Sequence, residues 1–289
     1  MSVYMFHYVH KNDSGYKFFE LKKFESFIKS IKNDKNIITL DDFYCKFKNG
    51  VLNDNDILLT FDDGTIDHYV NVYPILKKYQ LSGTFFLCSD CFNNIGLLPN
   101  KIHKLLANIE FEKLFLQFYD LFNQEVINNN IVLKPEKKTL FDKNQKVRFF
   151  KQCLQYRLPE TVSNHIINKL YDINDLNFDC ADYYIKIENA KEMLDNGMCF
   201  GAHTKSHKHL EYLDFENQKY EITENIKFLK ENQLINDVLA FSYPYGSYNK
   251  KTINVLKNEN VDIAFLANDI NVRIEKYKFP RIDCKFINI

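Results

Sequence analysis

The stretch DILLTFDDG (Asp56–Gly64) decides how the chain is read. Its first six residues form an almost continuous apolar run that stops at two carboxylates and a glycine. A run this short and unbroken fits a strand covered on both faces, as in a parallel sheet, rather than a half-exposed alternating one. Neighbours on an extended chain project to opposite sides. Asp62 and Asp63 would therefore take different jobs, one binding a cation and the other moving a proton. Gly64 lets the backbone turn close to such a site. The same letters also make an ordinary Asp-Asp-Gly turn, so the chemistry needs support from elsewhere in the chain.

Working outward, VYMFHYV (Val3–Val9) reads as the first strand, and GTFFLC (Gly83–Cys88) follows Asp56–Phe61 as the next. MCFGAH (Met198–His203), VLAFSYP (Val238–Pro244) and VDIAFLA (Val261–Ala267) complete the set. Helical patterns alternate with them. Leu21–Lys32 places Phe24, Phe27, Ile28 and Ile31 at helical spacing. His68–Tyr79 is helical with Pro74 as a local irregularity, and Ile187–Gly197 is a helix stopped by its glycine. Phe215–Asn232 and Lys250–Asn260 are the remaining two. This alternation predicts an α/β fold with a parallel, helix-covered sheet or barrel. In such folds the active site lies at the carboxyl ends of the strands. Residues 98–184 depart from the pattern. They are rich in Lys and Asn, with helical stretches around Lys101–Phe122, Gln145–Arg157 and Pro159–Tyr171 and no strand alternation. They read as a helical insertion within a single domain spanning 1–289.

The chain has 289 residues, 45% of them hydrophobic and 26% charged, which suits one large domain with a substantial core. Net charge is zero, so no basic field points to nucleic acid and no polybasic run to an anionic membrane. No apolar run approaches the roughly 18 residues needed to span a bilayer. The opening MSVYMFHYVHKND lacks a basic segment followed by an apolar one, and the expectation is a cytoplasmic protein. The seven cysteines are irregularly spaced and do not form a secreted disulfide pattern. Cys88 and Cys91 make a C-x-x-C without a second pair, and read as reduced thiols at a strand end.

GAHTKSHKHL (Gly201–Leu210) raises the odds on chemistry. His203 and His207 stand four apart, which places them on one face of a helical turn. Two imidazoles and one carboxylate are a known zinc set that leaves a fourth position for water. A polar surface turn with incidental histidines is the plainer alternative. The aromatics are mostly core, but Tyr243, Tyr245 and Tyr248 fall near a strand end, where they would line a ligand site.

Taken in order, TFDDG (Thr60–Gly64), HTKSH (His203–His207) and FSYPYGSY (Phe241–Tyr248) resemble the motifs of the polysaccharide deacetylases, the NodB-like carbohydrate esterase family 4. The resemblance covers Val3–Cys91 and Ile187–Cys284. It implies a deformed (β/α) barrel of about seven strands. It also implies a metal-dependent hydrolase that takes the N-acetyl group from a sugar and releases acetate, with zinc as the expected ion. Carried onto this chain, Asp63, His203 and His207 are the metal ligands and Asp62 the general base. Thr204 shapes the loop, and the Tyr245 N–H contributes to an oxyanion hole.

Two departures follow. Ser242 stands where many members carry an arginine that steadies the base. Arg281 in FPRIDC is the expected substitute, with Asp283 beside it. No late Leu-x-His supplies the general acid, since no histidine follows His209. MFHYVH (Met5–His10) resembles the opening of the family's permuted branch, where an early histidine takes that place. His7 is preferred to His10 because a strand holds a side chain better than a loop does. His209 reads as a neighbour of the ligands, and His68, His103 and His165 as structural. The implied substrate is an N-acetylated sugar, free or linked to a nucleotide or lipid, as an intracellular precursor of a surface glycan. A deformylase or other amidohydrolase would use the same machinery. A carbohydrate-binding scaffold without catalysis would explain the missing late histidine, but not a metal triad with a spare carboxylate.

Overall fold

The computed structural model describes residues 1–11, 18–136, 144–267 and 273–287. Its strands are β1 (Ser2–Phe6), β2 (Val9–His10), β3 (Phe19–Glu20), β4 (Asn36–Ile37), β5 (Asp56–Asp62), β6 (Thr84–Leu87), β7 (Cys199–Ala202), β8 (Ala240–Ser242), β9 (Ile263–Phe265) and β10 (Ile282–Asp283). The helices are α1 (Leu21–Ile31), α2 (Leu40–Lys48), α3 (Tyr73–Lys78), α4 (Leu98–Asn108), α5 (Phe111–Asn128), α6 (Gln145–Gln152), α7 (Glu160–Ile173), α8 (Cys180–Tyr183), α9 (Ile187–Asp195), α10 (Phe215–Glu231) and α11 (Lys250–Asn258).

The chain divides into two units. One is built from the segments up to Ile95 and from Cys180 onward, and the other chiefly from Gly96–Asp179. In the first, the strands run parallel along the path β10-β1-β5-β6-β7-β8-β9, with β4 pairing to β5. This path of seven strands, with β4 beside it, is the curled parallel sheet that the NodB-like resemblance implies. Its two ends are joined by one stretch of chain. Ala264 N–H donates to the Lys276 carbonyl, Leu266 N–H to that of Phe279, and the same stretch continues into β10 beside β1.

Period-2 alternation sorts the side chains of β5. Leu59 and Phe61 pack with Phe24, Phe85 and Phe200 under the helices. Leu58 belongs instead to the inner cluster with Val3, Phe86, Ala240, Ile263 and Phe265, closed off by Leu40 and Phe43 of α2. Thr60 and Asp62 share the parity of Leu58, so the strand carries Asp62 inward to its carboxyl end.

The first strand is shorter than the sequence suggests. Chain Val3–Val9 breaks after Phe6: β1 leaves the sheet at His7, and Val9–His10 pair with β3 in a separate ribbon. The break has a cause. Val9 N–H and C=O are taken by the side chains of Asp67 and Asn71 rather than by a sheet neighbour. His7 is therefore not strand-borne.

The second unit has its own apolar core, with Ile102, Leu105, Phe118, Phe122, Phe150 and Leu170 buried together. The pattern over Lys101–Phe122 resolves into two helices, separated where Glu110 caps the second by accepting from the N–H groups of Glu112 and Lys113. Tyr184 lies with the sheet unit rather than the helical one, bridging antiparallel to Thr65.

Gly201 pairs with Phe86 in register. A Cβ there would stand 2.5 Å from the Phe86 ring and 3.0 Å from the Ala240 carbonyl oxygen. Gly201→Ala is expected to destabilise the protein by about 1–3 kcal/mol through overpacking, read from urea unfolding. An unchanged midpoint would contradict this account of the β6–β7 packing.

Candidate active site and metal centre

Asp62 is the last residue of β5, and its buried carboxylate meets a buried cation. Arg281 Nη1 donates to Oδ1 at 2.8 Å and Nη2 to Oδ2 at 2.6 Å, a bidentate pair. The rest of the guanidinium is also bonded. Nη2 reaches the Ser242 hydroxyl (2.8 Å), Nη1 the Thr60 hydroxyl (3.1 Å) and Nε the Leu266 carbonyl (2.8 Å). Ser242 in turn donates to Asp62 at 3.2 Å. Burial pushes the Asp62 carboxyl up, but Arg281, His203 and His7 outweigh it and hold it down to about 2. Asp63 turns away with φ of +81°. Burial opposes its charge too, yet His207, His203 and His7 keep it well below the usual carboxylate range.

The HTKSH segment is not the helical turn that its spacing suggests. It is a loop in which Thr204 (φ +65°) and His207 (φ +59°) both take left-handed backbone. The Thr204 hydroxyl accepts from the His207 N–H at 3.0 Å. The result still sets the two rings 4.8 Å apart. His207 Nε2 lies 3.1 Å and His203 Nε2 3.5 Å from Asp63 Oδ1. His203 Nδ1 donates to the Ser242 carbonyl at 2.8 Å. In the neutral ring this makes Nε2 the lone-pair nitrogen, which is buried and without a hydrogen-bond partner among the described residues. Burial also lowers the His207 pKa, against the pull of Asp63, and favours the neutral ring a metal requires. The ligand atoms of Asp63, His203 and His207 all lie within 4.8 Å of one another. This donor chemistry fits a divalent cation.

Four non-glycine residues with positive φ sit at this site: Asp63, Thr204, His207 and Tyr245. The other six, such as Gln80, Gln233 and Asn260, follow helix ends, where left-handed backbone is routine. A left-handed residue costs about 1–3 kcal/mol and persists only where its surroundings hold it. Here the holders are identifiable. Asn225 on α10 accepts from the His203 N–H (2.8 Å) and donates to the Leu87 carbonyl (3.0 Å). Glu221, one turn earlier, takes the Ser206 N–H (2.8 Å) and hydroxyl (2.5 Å). The Cys88 thiol donates to the His203 carbonyl (2.9 Å) and the Cys91 thiol to that of Asp63 (3.6 Å). Burial pushes both thiols well up, so they remain protonated donors. Glu221 and Asn225 went unnoticed in the sequence. Their signal was polarity on the face of α10 that also buries Ile222, Ile226 and Leu229.

The remaining candidates separate. Tyr245 lies in the turn Pro244–Gly246 with φ of +59°. Its ring is edge-on to His207 (4.6 Å) and flat against His209 (3.7 Å). Among the described residues its N–H has no backbone or side-chain acceptor, whereas the Gly246 and Ser247 amides close the turn. Tyr243 is a correction: it is fully buried and its hydroxyl donates to the Tyr277 carbonyl (3.0 Å), so it is core and cannot touch a sugar. Tyr248 packs against it and is only half-buried. Asp283 caps the turn Cys284–Phe286 and pairs with Lys285 (3.0 Å), so its carboxylate serves that turn rather than Arg281. His7 is half-buried, and a proton on its ring would act on Asp62, Asp63 and His207. His10 faces Tyr8 and Phe18 instead.

Known proteins bear on this arrangement. Residues 49–108 and 162–264, more than half of the chain, match the family described as polysaccharide deacetylase. The Streptococcus pyogenes deacetylase PplD, solved with acetate, superposes with a TM-score of 0.60 at 17% identity, over 98% of this chain and 91% of that one. IcaB from Ammonifex degensii gives 0.57 at 14%, over 97% and 91%. At these identities the likeness is one of fold. The poly-beta-1,6-N-acetyl-D-glucosamine N-deacetylase of Staphylococcus aureus (strain N315) is 29% identical over 124 residues, which span 41% of this chain and 43% of that protein. Its Staphylococcus epidermidis counterpart is 25% identical over 181 residues, 62% and 59% of the two chains. The chain thus aligns with less than half the length of the Staphylococcus aureus relative. The family match, on the fold those structures share, makes this chain a member of the polysaccharide deacetylase family.

Proposed function

We propose that the protein hydrolyses the N-acetyl group of an N-acetylated saccharide, releasing acetate and a free amine. One observation carries this reading: a buried open donor set, Asp63, His203 and His207, adjoins a second carboxylate that Arg281 keeps ionised. Asp63, His203 and His207 would hold a divalent cation, zinc by their donor types, whose chemistry when bound is to polarise the amide carbonyl and acidify water. Asp62, kept ionised by Arg281, takes the proton of the attacking water. The Tyr245 N–H donates to the carbonyl oxygen as negative charge gathers there. His7 gives a proton to the leaving nitrogen as the C–N bond breaks. Tyr245 and Tyr248 border the sugar.

The helical unit is read as an insertion in a single catalytic domain, because β6 before it and β7 after it are direct parallel neighbours. No helix among the described residues is long and apolar enough to cross a membrane. The names of the staphylococcal relatives point to poly-β-1,6-linked N-acetylglucosamine as the first substrate to try. Nucleotide-linked and lipid-linked N-acetyl sugars belong in the same panel.

Purified protein with zinc or cobalt should release acetate from at least one member of an N-acetyl sugar panel; silence across all of them sinks the proposal, and formate from N-formyl sugars would redirect it. Asp62→Asn should lower turnover by ~10²–10⁴-fold while keeping the metal, whereas His203→Ala should lose both by metal analysis. Equal metal loss in the two variants would overturn the division of labour between Asp62 and Asp63. Arg281→Met strands a buried carboxylate and should cost about 3–5 kcal/mol in unfolding, with much of the loss recovered when Asp62→Asn is added. The Asp62 carboxyl is lowered on folding to about 2. Its stabilisation is therefore present above the unfolded value of ~4 and lost as pH falls toward 2. Asp62→Asn should flatten that acid limb.

A further inference from the structure

Three side chains outside the site grip the short segment that carries His7. The chain between Gly64 and α3 does not begin as an ordinary helix: His68–Val72 is a π-helical turn, a form that recurs at functional sites. From it and the residue before it come Asp67, His68 and Asn71, all buried. Asp67 accepts from the Val9 N–H and from the Thr65 hydroxyl. Asn71 donates to the Val9 carbonyl at 2.8 Å. His68 Nε2 lies 2.5 Å from the His7 carbonyl. A carbonyl only accepts, so this nitrogen carries the hydrogen. The backbone is thus held on both sides of Tyr8, at the point where β1 has left the sheet.

His68 is poorly explained as packing. Its ring is wedged between Phe61 and Phe85, with centroids 5.7 Å from each. Its Nδ1 is buried without a hydrogen-bond partner among the described residues. A phenylalanine would suit that apolar slot better and leave no nitrogen stranded. What an imidazole adds there is the bond to His7. The backbone so fixed carries an imidazole whose proton, when bound, would act on Asp62, Asp63 and His207 together.

We infer that Asp67, His68 and Asn71 are positioning residues that hold His7 where it protonates the leaving nitrogen. This rests on the reading of His7 as the general acid. The step itself moves one proton from the imidazolium to the departing amine as its bond to the acetyl carbon breaks.

The test compares two substrates. An N-acetylglucosamine tetramer has an amine leaving group that needs a proton, whereas 4-nitrophenyl acetate has a leaving group that departs without one. His7→Ala sets the fall in the amide-to-ester ratio of kcat that a missing acid produces. His68→Phe should lower that ratio by about 10²-fold, within the range for a positioned acid. Asn71→Ala, a milder change that decides the matter if His68→Phe does not fold, should lower it by about tenfold. His68→Gln keeps a donor of similar reach and should restore most of the ratio. A ratio that stays at the wild-type value in folded His68→Phe and Asn71→Ala, while His7→Ala lowers it, overturns the positioning role alone. A ratio unmoved in His7→Ala overturns the acid assignment and the positioning role with it.

Discussion

The structure turns on one buried ion pair. Arg281 and Asp62 face each other at the centre of the curled sheet, and every described donor of the guanidinium is directed at protein oxygen. Such a pair is poor evidence of stability, because taking two charges out of water can cost more than their attraction returns. Its position is more telling. Arg281 lies on the stretch that joins the two ends of the strand path, while Asp62 lies at the end of β5 in the middle of that path. The bond that sets the protonation state of the carboxylate also holds the sheet's curl in register.

Around that pair the polypeptide is held in conformations it would not choose. Asp63, Thr204, His207 and Tyr245 are left-handed, and they lie on three separate segments that meet at the site. Loops with this much strain would relax unless their amides and carbonyls were tied from outside. The ties come from α10, from the thiols after β6 and from the threonine inside the loop itself. The donor set is therefore held by its own framework, which is what a site needs if binding is not to be spent on ordering it.

Much of this was legible in the sequence, and the reasons differ by residue. The parallel sheet follows from apolar runs such as Asp56–Phe61, because burial on both faces leaves no alternation. Asp62, Asp63, His203 and His207, which the structure brings together, stood out because they are unusual residue types at strand ends. Arg281 came from the resemblance, which implies an arginine where this chain has Ser242 and leaves FPRIDC as its substitute. Other features were not legible. Spacing four apart suggested a helical turn for His203 and His207, but a tyrosine, a carboxylate and an amide from distant segments impose a loop that no local pattern encodes. Val3–Val9 looked like one strand because its letters are aromatic and β-branched, yet side chains sixty residues away capture its backbone. Tyr243 was misplaced because a tyrosine near a strand end reads the same whether it points to solvent or into the core.

The adjacency of β6 and β7 has a meaning for how such a protein arises. The polypeptide leaves the sheet after one strand and comes back on its immediate parallel neighbour, and what it builds in between has a hydrophobic interior of its own. A segment attached in this way can be lengthened, shortened or exchanged during evolution while the hydrogen-bonded ladder on either side stays as it was. The sheet unit and the helical unit can then diversify at different rates, one constrained by a handful of charged atoms and the other by little beyond its own packing.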